Sequence, residues 1–151
     1  MAEVRPVPSD LGKLPVFGGL PEDALRAFAD QAELREVAAG EIIFREDETA
    51  RLLFVLATGS LDVVKKKGEG EVHLYRIRPG ESFGEMSFID MQPRSATVRA
   101  VAPSTLWAWS YAVFRERYEK EPKTSLMLVM NVARELSRRL RRADDLLARD
   151  R

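Results

Sequence analysis

Apolar positions along this chain recur with two different periods, and the changes between them divide it into three stretches. In the first, Leu25, Phe28, Ala29 and Ala32 keep the i, i+3, i+4, i+7 spacing of one buried helix face. Pro21 stands at the head of that helix, where a missing N–H costs nothing. Glu22 and Asp23 follow in the first turn, where the helix dipole favours negative charge. From Leu34 to Ser110 the period shortens. Apolar or alternating runs at 41–44, 51–57, 61–66, 72–77, 94–101 and 105–110 predict strands, with turns at Gly40, Gly59, Gly68, Gly70 and Pro79-Gly80. Short, evenly spaced strands with glycine turns indicate an antiparallel sheet that rolls or closes on itself.

The helical period then returns. Residues 111–121 predict a short helix stopped near Pro122. Thr124 or Ser125 can cap a longer one reaching about residue 149. Along it Leu126, Ala133, Leu140 and Leu147 are seven apart, as are Val129, Leu136 and Ala143. This is an a/d seam of about three heptads, and its length favours a partner helix, hence a homodimer, over packing on the domain alone. The expected architecture is mainly β with flanking α: an antiparallel β-roll of jelly-roll type with one N-terminal helix and two C-terminal helices. Residues 1–10, with Pro6 and Pro8, read as an irregular lead-in, 11–122 as the rolled domain, and 123–151 as a lid or dimerisation helix.

Composition narrows the functions available. The 151 residues suit one domain, and 45% hydrophobic content supplies a core. Lys and Arg number 24 and Asp and Glu 24, so no basic excess points to nucleic acid or a membrane surface. The absence of cysteine excludes disulfides and thiolate chemistry, and one histidine, His73, cannot build a multi-histidine metal centre of the cupin kind. No metal and no cofactor is expected. No signal-peptide pattern opens the chain, and the apolar run 52–57 is too short to span a bilayer, so a cytoplasmic location is expected.

The candidate chemistry lies in Phe83–Val98, which reads FGEMSFIDMQPRSATV. Gly84 permits close backbone approach. Glu85 opens a short helical turn whose amides can face an anion. Arg94, nine residues on, offers a planar fork suited to phosphate, and Ser95 adds a hydroxyl. A carboxylate and a guanidinium on one pocket suit a ligand with a hydroxyl at one end and an anion at the other.

This segment resembles the phosphate-binding cassette of the cyclic-nucleotide-binding domain family, F-G-E-[LM]-[AS], a spacer, then P-R-x-A-[TV]-V. Gly84, Glu85, Met86, Ser87, Pro93, Arg94, Ala96 and Val98 all fall in place without a gap. LPVFGGLPEDAL at 14–25, Gly59-Ser60, Pro79-Gly80 and Arg99-Ala100 extend the resemblance over nearly the whole chain. It implies a non-enzymatic receptor. Glu85 would accept from the ribose 2′-hydroxyl and Arg94 would pair with the cyclic phosphate. Ser95 and the amides of Met86, Ser87 and Ala96 would complete the cradle. Val63, Leu74 and Ile77 would line the base slot, and Ser95 beside the arginine leans towards cyclic AMP over cyclic GMP.

Two departures matter. Asp47 stands where the family has a turn glycine, which Asp can replace. Arg139 and Leu140 occupy the places where catabolite activators read adenine, so that mode of reading is not expected. The basic knot Arg138, Arg139, Arg141, Arg142 reads as a solvated helix face because Asp144 and Asp145 follow it, although Arg138 or Arg139 could lie over a bound base. Trp107 and Trp109 read as packing residues, His73 as a surface residue and Lys65–Lys67 as a hairpin tip. The alternative to a receptor is a family member that keeps the fold as an interaction module and binds no ligand. The downstream effector is not legible.

Overall fold

A computed structural model describes residues 6 and 8–149. A helical turn α1 (Pro8–Leu11) and a 3-10 turn (Pro15–Phe17) precede α2 (Glu22–Gln31). Eight strands follow: β1 (Glu33–Val37), β2 (Ile42–Phe44), β3 (Leu52–Thr58), β4 (Leu61–Lys67), β5 (Gly70–Ile77), β6 (Ser82–Phe83), then β7 (Thr97–Ala100) and β8 (Ser104–Ser110). Helix α3 (Glu85–Asp90) lies between β6 and β7, and α4 (Tyr111–Lys120) and α5 (Pro122–Arg149) close the chain. The strands form two antiparallel four-stranded sheets, ordered β1-β8-β3-β6 and β2-β7-β4-β5. This is the expected β-roll with flanking helices.

Side-chain alternation along β3 and β8 explains how the roll holds its helices. On β3, Phe54 and Leu56 point into the roll with Leu61, Ile77, Phe83 and Leu106, while Leu53 and Val55 point outward. On β8, Leu106 and Ala108 face inward and Trp109 outward. The outward set meets Phe17, Ala24, Leu25, Phe28 and Ala29 from the N-terminal turns, and Leu128 and Val132 from α5. Strand β3 therefore lies between two cores, which is why LLFVLA carries no polar alternation. The Trp109 indole N–H donates to the Phe28 carbonyl at 2.8 Å, tying α2 to the sheet. Asn131 of α5 donates to the carbonyls of Val16 (3.1 Å) and Gly18 (2.9 Å), which fixes α5 against the N-terminal turn.

Several boundaries differ from expectation. Pro21 is the extended N-cap of α2 and not its first helical residue. Strands β1 and β6 were not anticipated: β1 alternates only weakly, and β6 is two residues held by pairing to β3. The strand expected from residue 94 begins at Thr97, because Arg94 belongs to the loop before it. Helix α5 begins at Pro122, with no N–H to satisfy, and Thr124 and Ser125 are buried inside its first turns instead of capping it.

The heptad positions of α5 are not the face it packs with. Leu128, Asn131 and Val132 are buried, whereas Leu126, Val129, Leu140 and Leu147 are exposed, Leu140 at 64%. Of the seam, Leu136 alone packs partly on the core. Neighbouring helix positions point about 100° apart, so burying Leu128 turns Val129 to the side.

Candidate functional site

The site is assembled where β6 runs into α3. Gly84 sits between them at φ +83°, in the left-handed region. A Cβ there would lie 2.8 Å from Arg94 Nη1, 3.0 Å from the Leu52 carbonyl oxygen and 3.3 Å from the Phe54 ring. Both the dihedral and the close approach require glycine. The approach is functional because Arg94 Nη1 donates to the Gly84 carbonyl at 2.8 Å, and Nη2 donates to the Leu52 carbonyl at 3.2 Å. The guanidinium carbon lies 4.1 Å from the Phe44 ring centroid. Arg94 is thus 2% exposed and locked in place, not a mobile surface charge.

The backbone of Arg94 is held as firmly. Its N–H donates to the Glu48 carbonyl and its carbonyl accepts from the Asp47 N–H, both at 2.8 Å. Asp47 makes that turn at φ +72°, so the position where the family favours glycine does adopt the left-handed conformation. Next to it, Lys65 Nζ donates to the Ser95 carbonyl at 2.7 Å and lies 3.8 Å from Glu46.

Glu85 opens α3 at 4% exposure. Burial pushes its carboxyl above the usual carboxylate range, and the Arg139 guanidinium partly offsets this. Arg139 Nη1 donates to Glu85 Oε1 and Nη2 to the Ser82 carbonyl. Burial likewise lowers Arg94, against the attraction of Glu85 and Glu48. Among the described residues, Glu85 Oε2 and Arg94 Nε are buried with no hydrogen-bond partner. Such atoms are rare in folded proteins because each costs the desolvation of a polar group. Both residues line one pocket, whereas Trp107 and Ser125, whose Nε1 and Oγ are likewise buried without a partner, lie outside it.

That pocket is about 50 Å³, walled by Gly84, Glu85, Met86, Arg94, Ser95 and Ala96 on the cassette side and by Phe44, Val63, Tyr75, Phe83 and Val98 on the other. The structure therefore brings together Gly84, Glu85, Met86, Arg94, Ser95, Ala96 and Val63. Ser87 lies within α3, and its side chain is outside the described residues. Leu74 does not join the pocket and is 43% exposed, and Ile77 is buried in the roll's core without reaching the pocket wall. The β4–β5 ladder pairs Val63 with Tyr75 and then Val64 with His73, passing over Leu74 at a bulge. Strand alternation gives Tyr75 and Ile77 one face and Leu74 the other, so the inward aromatic is Tyr75. Arg138 pairs with Glu135 at 2.6 Å and does not line the pocket, while Arg139 reaches Glu85.

The sequence reading missed Phe44, Phe83 and Tyr75 as pocket walls and the 46–48 turn as the brace of Arg94. For Tyr75 the signal was present, two residues before inward-facing Ile77. For the turn there was none, since its partner is 46 residues away in the chain (94 − 48). A separate hollow of about 180 Å³ lies between α3, α4 and α5, walled largely by apolar side chains such as Ile89, Phe114, Leu128 and Val132. It lacks the opposed carboxylate and guanidinium. No group of His, Cys, Asp and Glu able to hold a metal occurs among the described residues, and no helix there is long and apolar enough to cross a membrane.

A rolled antiparallel sheet with one buried carboxylate and one buried guanidinium lining the same pocket has the chemistry to suit a small ligand carrying a hydroxyl and an anion. The family profile of the cyclic nucleotide-binding domain matches residues 34–121. The chain belongs to that family, one of receptor and regulator domains. It is 36% identical over 110 residues to a cAMP-dependent protein kinase regulatory subunit of Blastocladiella emersonii, covering 72% of this chain and 27% of that one. It is 33% identical to the Cyclic AMP receptor protein of Thermus thermophilus, over 86% of this chain and 59% of that one. The chain thus spans less than two thirds of the length of these relatives. A solved cyclic nucleotide-binding domain from Methylobacillus flagellatus superposes with a TM-score of 0.84 at 22% identity, over 93% of this chain and 80% of that one, and so shares the fold.

Proposed function

We propose that this domain is a non-enzymatic receptor for a cyclic nucleoside monophosphate, cyclic AMP in preference to cyclic GMP. The observation that carries the reading is the pair of unpaired buried atoms, Glu85 Oε2 and Arg94 Nε, on one pocket. The ribose 2′-hydroxyl is a donor for the first, and a cyclic phosphate oxygen is an acceptor for the second. Ser95 and the amides of Met86, Ser87 and Ala96 complete the phosphate cradle, and Val63 and Tyr75 offer an apolar edge to the base. Small-molecule pockets commonly measure ~300–1,000 Å³, so binding must widen this one. Met86 and Ser95, the exposed parts of its wall, are where it can yield. No cofactor is needed. The exposed seam of α5 supports a homodimer, and the receptor passes occupancy to an effector in the cytoplasm through that helix.

The narrow pocket also favours a second reading, a family member that binds no nucleotide and serves as an interaction module. A thermal shift assay against cyclic AMP, cyclic GMP and other cyclic nucleotides decides between them. At about 100 times its dissociation constant a ligand adds ~2.7 kcal/mol. For this chain length that raises the melting temperature by roughly 5–10 °C. No shift at millimolar concentrations of any of them leaves the interaction module as the answer. Calorimetry then tests the base: a tenfold preference for cyclic GMP, about 1.4 kcal/mol, overturns the preference for cyclic AMP.

A further inference from the structure

We propose that Arg139 is a positioning residue for ligand recognition, gripping one carboxylate oxygen of Glu85 from α5 so that the other is presented to the ribose hydroxyl. This rests on the cyclic-nucleotide reading above. Arg139 Nη1 donates to Glu85 Oε1, which leaves Oε2 as the buried, unpaired oxygen. Nη2 donates to the Ser82 carbonyl, one strand position before Phe83. The guanidinium carbon lies 5.5 Å from the Tyr75 ring centroid. Glu135 Oε1 stands 3.9 Å from Arg139 Nε and Glu81 Oε2 3.9 Å from Arg139 Nη2, and the side chain is 14% exposed. An arginine merely lying along a helix surface would have no reason to meet β5, β6 and α3 together. A planar fork held at both ends fixes the plane and rotamer of the carboxylate it holds.

The same contact governs whether Glu85 is an acceptor. The charged groups facing it are Arg139 and Glu135 from α5 and Arg94 from the cassette, and Tyr75 of β5 and Glu81 ahead of β6 also face this cluster. Arg139 opposes the effect of burial, so removing it leaves a buried carboxylate with the like charge of Glu135 still acting on it. Arg139 also sits between seam residues Leu136 and Leu140. Any strengthening of the Glu85 contact by ligand must, by linkage, strengthen docking of α5 by the same factor.

The test is Arg139→Gln, with Arg139→Lys as the charge-conserving variant, measured by calorimetry against cyclic AMP and 2′-deoxy cyclic AMP. Circular dichroism establishes that each variant is folded. Arg139→Gln should weaken cyclic AMP binding about tenfold or more, the scale of one hydrogen bond to a charged group, and 2′-deoxy cyclic AMP binding by less than about threefold. Arg139→Lys should recover part of the loss. Affinity for cyclic AMP should rise with pH in Arg139→Gln over a range shifted upward from the wild type. Equal losses with both ligands, or no loss, overturn the proposal. So does a Glu85 carboxyl that titrates at the same pH in wild type and Arg139→Gln by carbon-13 NMR, a measurement that needs no ligand. Failure of the wild type to bind any cyclic nucleotide instead overturns the receptor reading, and the NMR titration still reports on Arg139.

Discussion

Gly84→Ala places a single methyl group at the junction of fold and site. Two costs follow from the structure. The first is conformational: φ at +83° is left-handed, which costs a non-glycine residue ~1–2 kcal/mol. The second is steric. The Leu52 carbonyl at 3.0 Å is backbone and cannot swing aside, so the Arg94 guanidinium, whose Nη1 lies 2.8 Å from the new Cβ, must move. Moving it by the half ångström or more needed for ordinary contact breaks its bond to the Gly84 carbonyl, a charge-assisted bond of ~1.5–3 kcal/mol. The sum is about 2.5–5 kcal/mol. For a chain of this length it lowers the melting temperature by roughly 5–20 °C. Because Arg94 is the group displaced, affinity should fall with stability, by at least about tenfold. Differential scanning calorimetry reads the first effect and titration calorimetry with cyclic AMP the second. A Gly84→Ala protein that melts and binds like wild type refutes the reasoning. One that is destabilised yet binds normally shows that Arg94 does not hold the ligand.

Asp47→Gly should do the reverse. It removes left-handed strain at φ +72° while adding freedom to the unfolded chain, for a net gain of up to about 1 kcal/mol in chemical denaturation, and a loss counts against the strain. Glu85 titrates higher in the folded chain than its ordinary value of 4.5, so above that pH the folded state holds a proton the unfolded chain has released. Its contribution to stability therefore falls as pH rises from 4.5 through the folded value, then stays level. The advantage of Glu85→Gln over wild type in unfolding free energy should grow across that window, and a flat or opposite trend refutes the assignment. Leu140→Glu puts two like charges into the exposed α5 seam and should convert a dimer to monomer by sedimentation. A wild type that is monomeric at tens of micromolar, with and without ligand, removes the dimer altogether.

The sequence by itself determined the architecture and the chemical pair. Period and turn residues located most strands and helices to within a few positions, because side-chain alternation is local. Glu85 and Arg94 were legible because Gly84, Pro93 and Ala96 surround them in one continuous run. What depended on distant partners was not legible. The pairing that sets Val63 beside Tyr75, with a bulge directly after it, was decided by the register of β4 against β5. Strand β6 exists only because β3 pairs with it. Which face of α5 is buried was decided by Asn131 meeting the Val16 and Gly18 carbonyls, 115 and 113 residues away, against an apolar heptad pattern that pointed elsewhere. Arg139 reads locally as one of four charges on a solvated helix. Its selection from Arg138, Arg139, Arg141 and Arg142 follows from the rotation at which α5 docks, since a helix turns about 100° per residue and only one of these side chains can then reach Glu85.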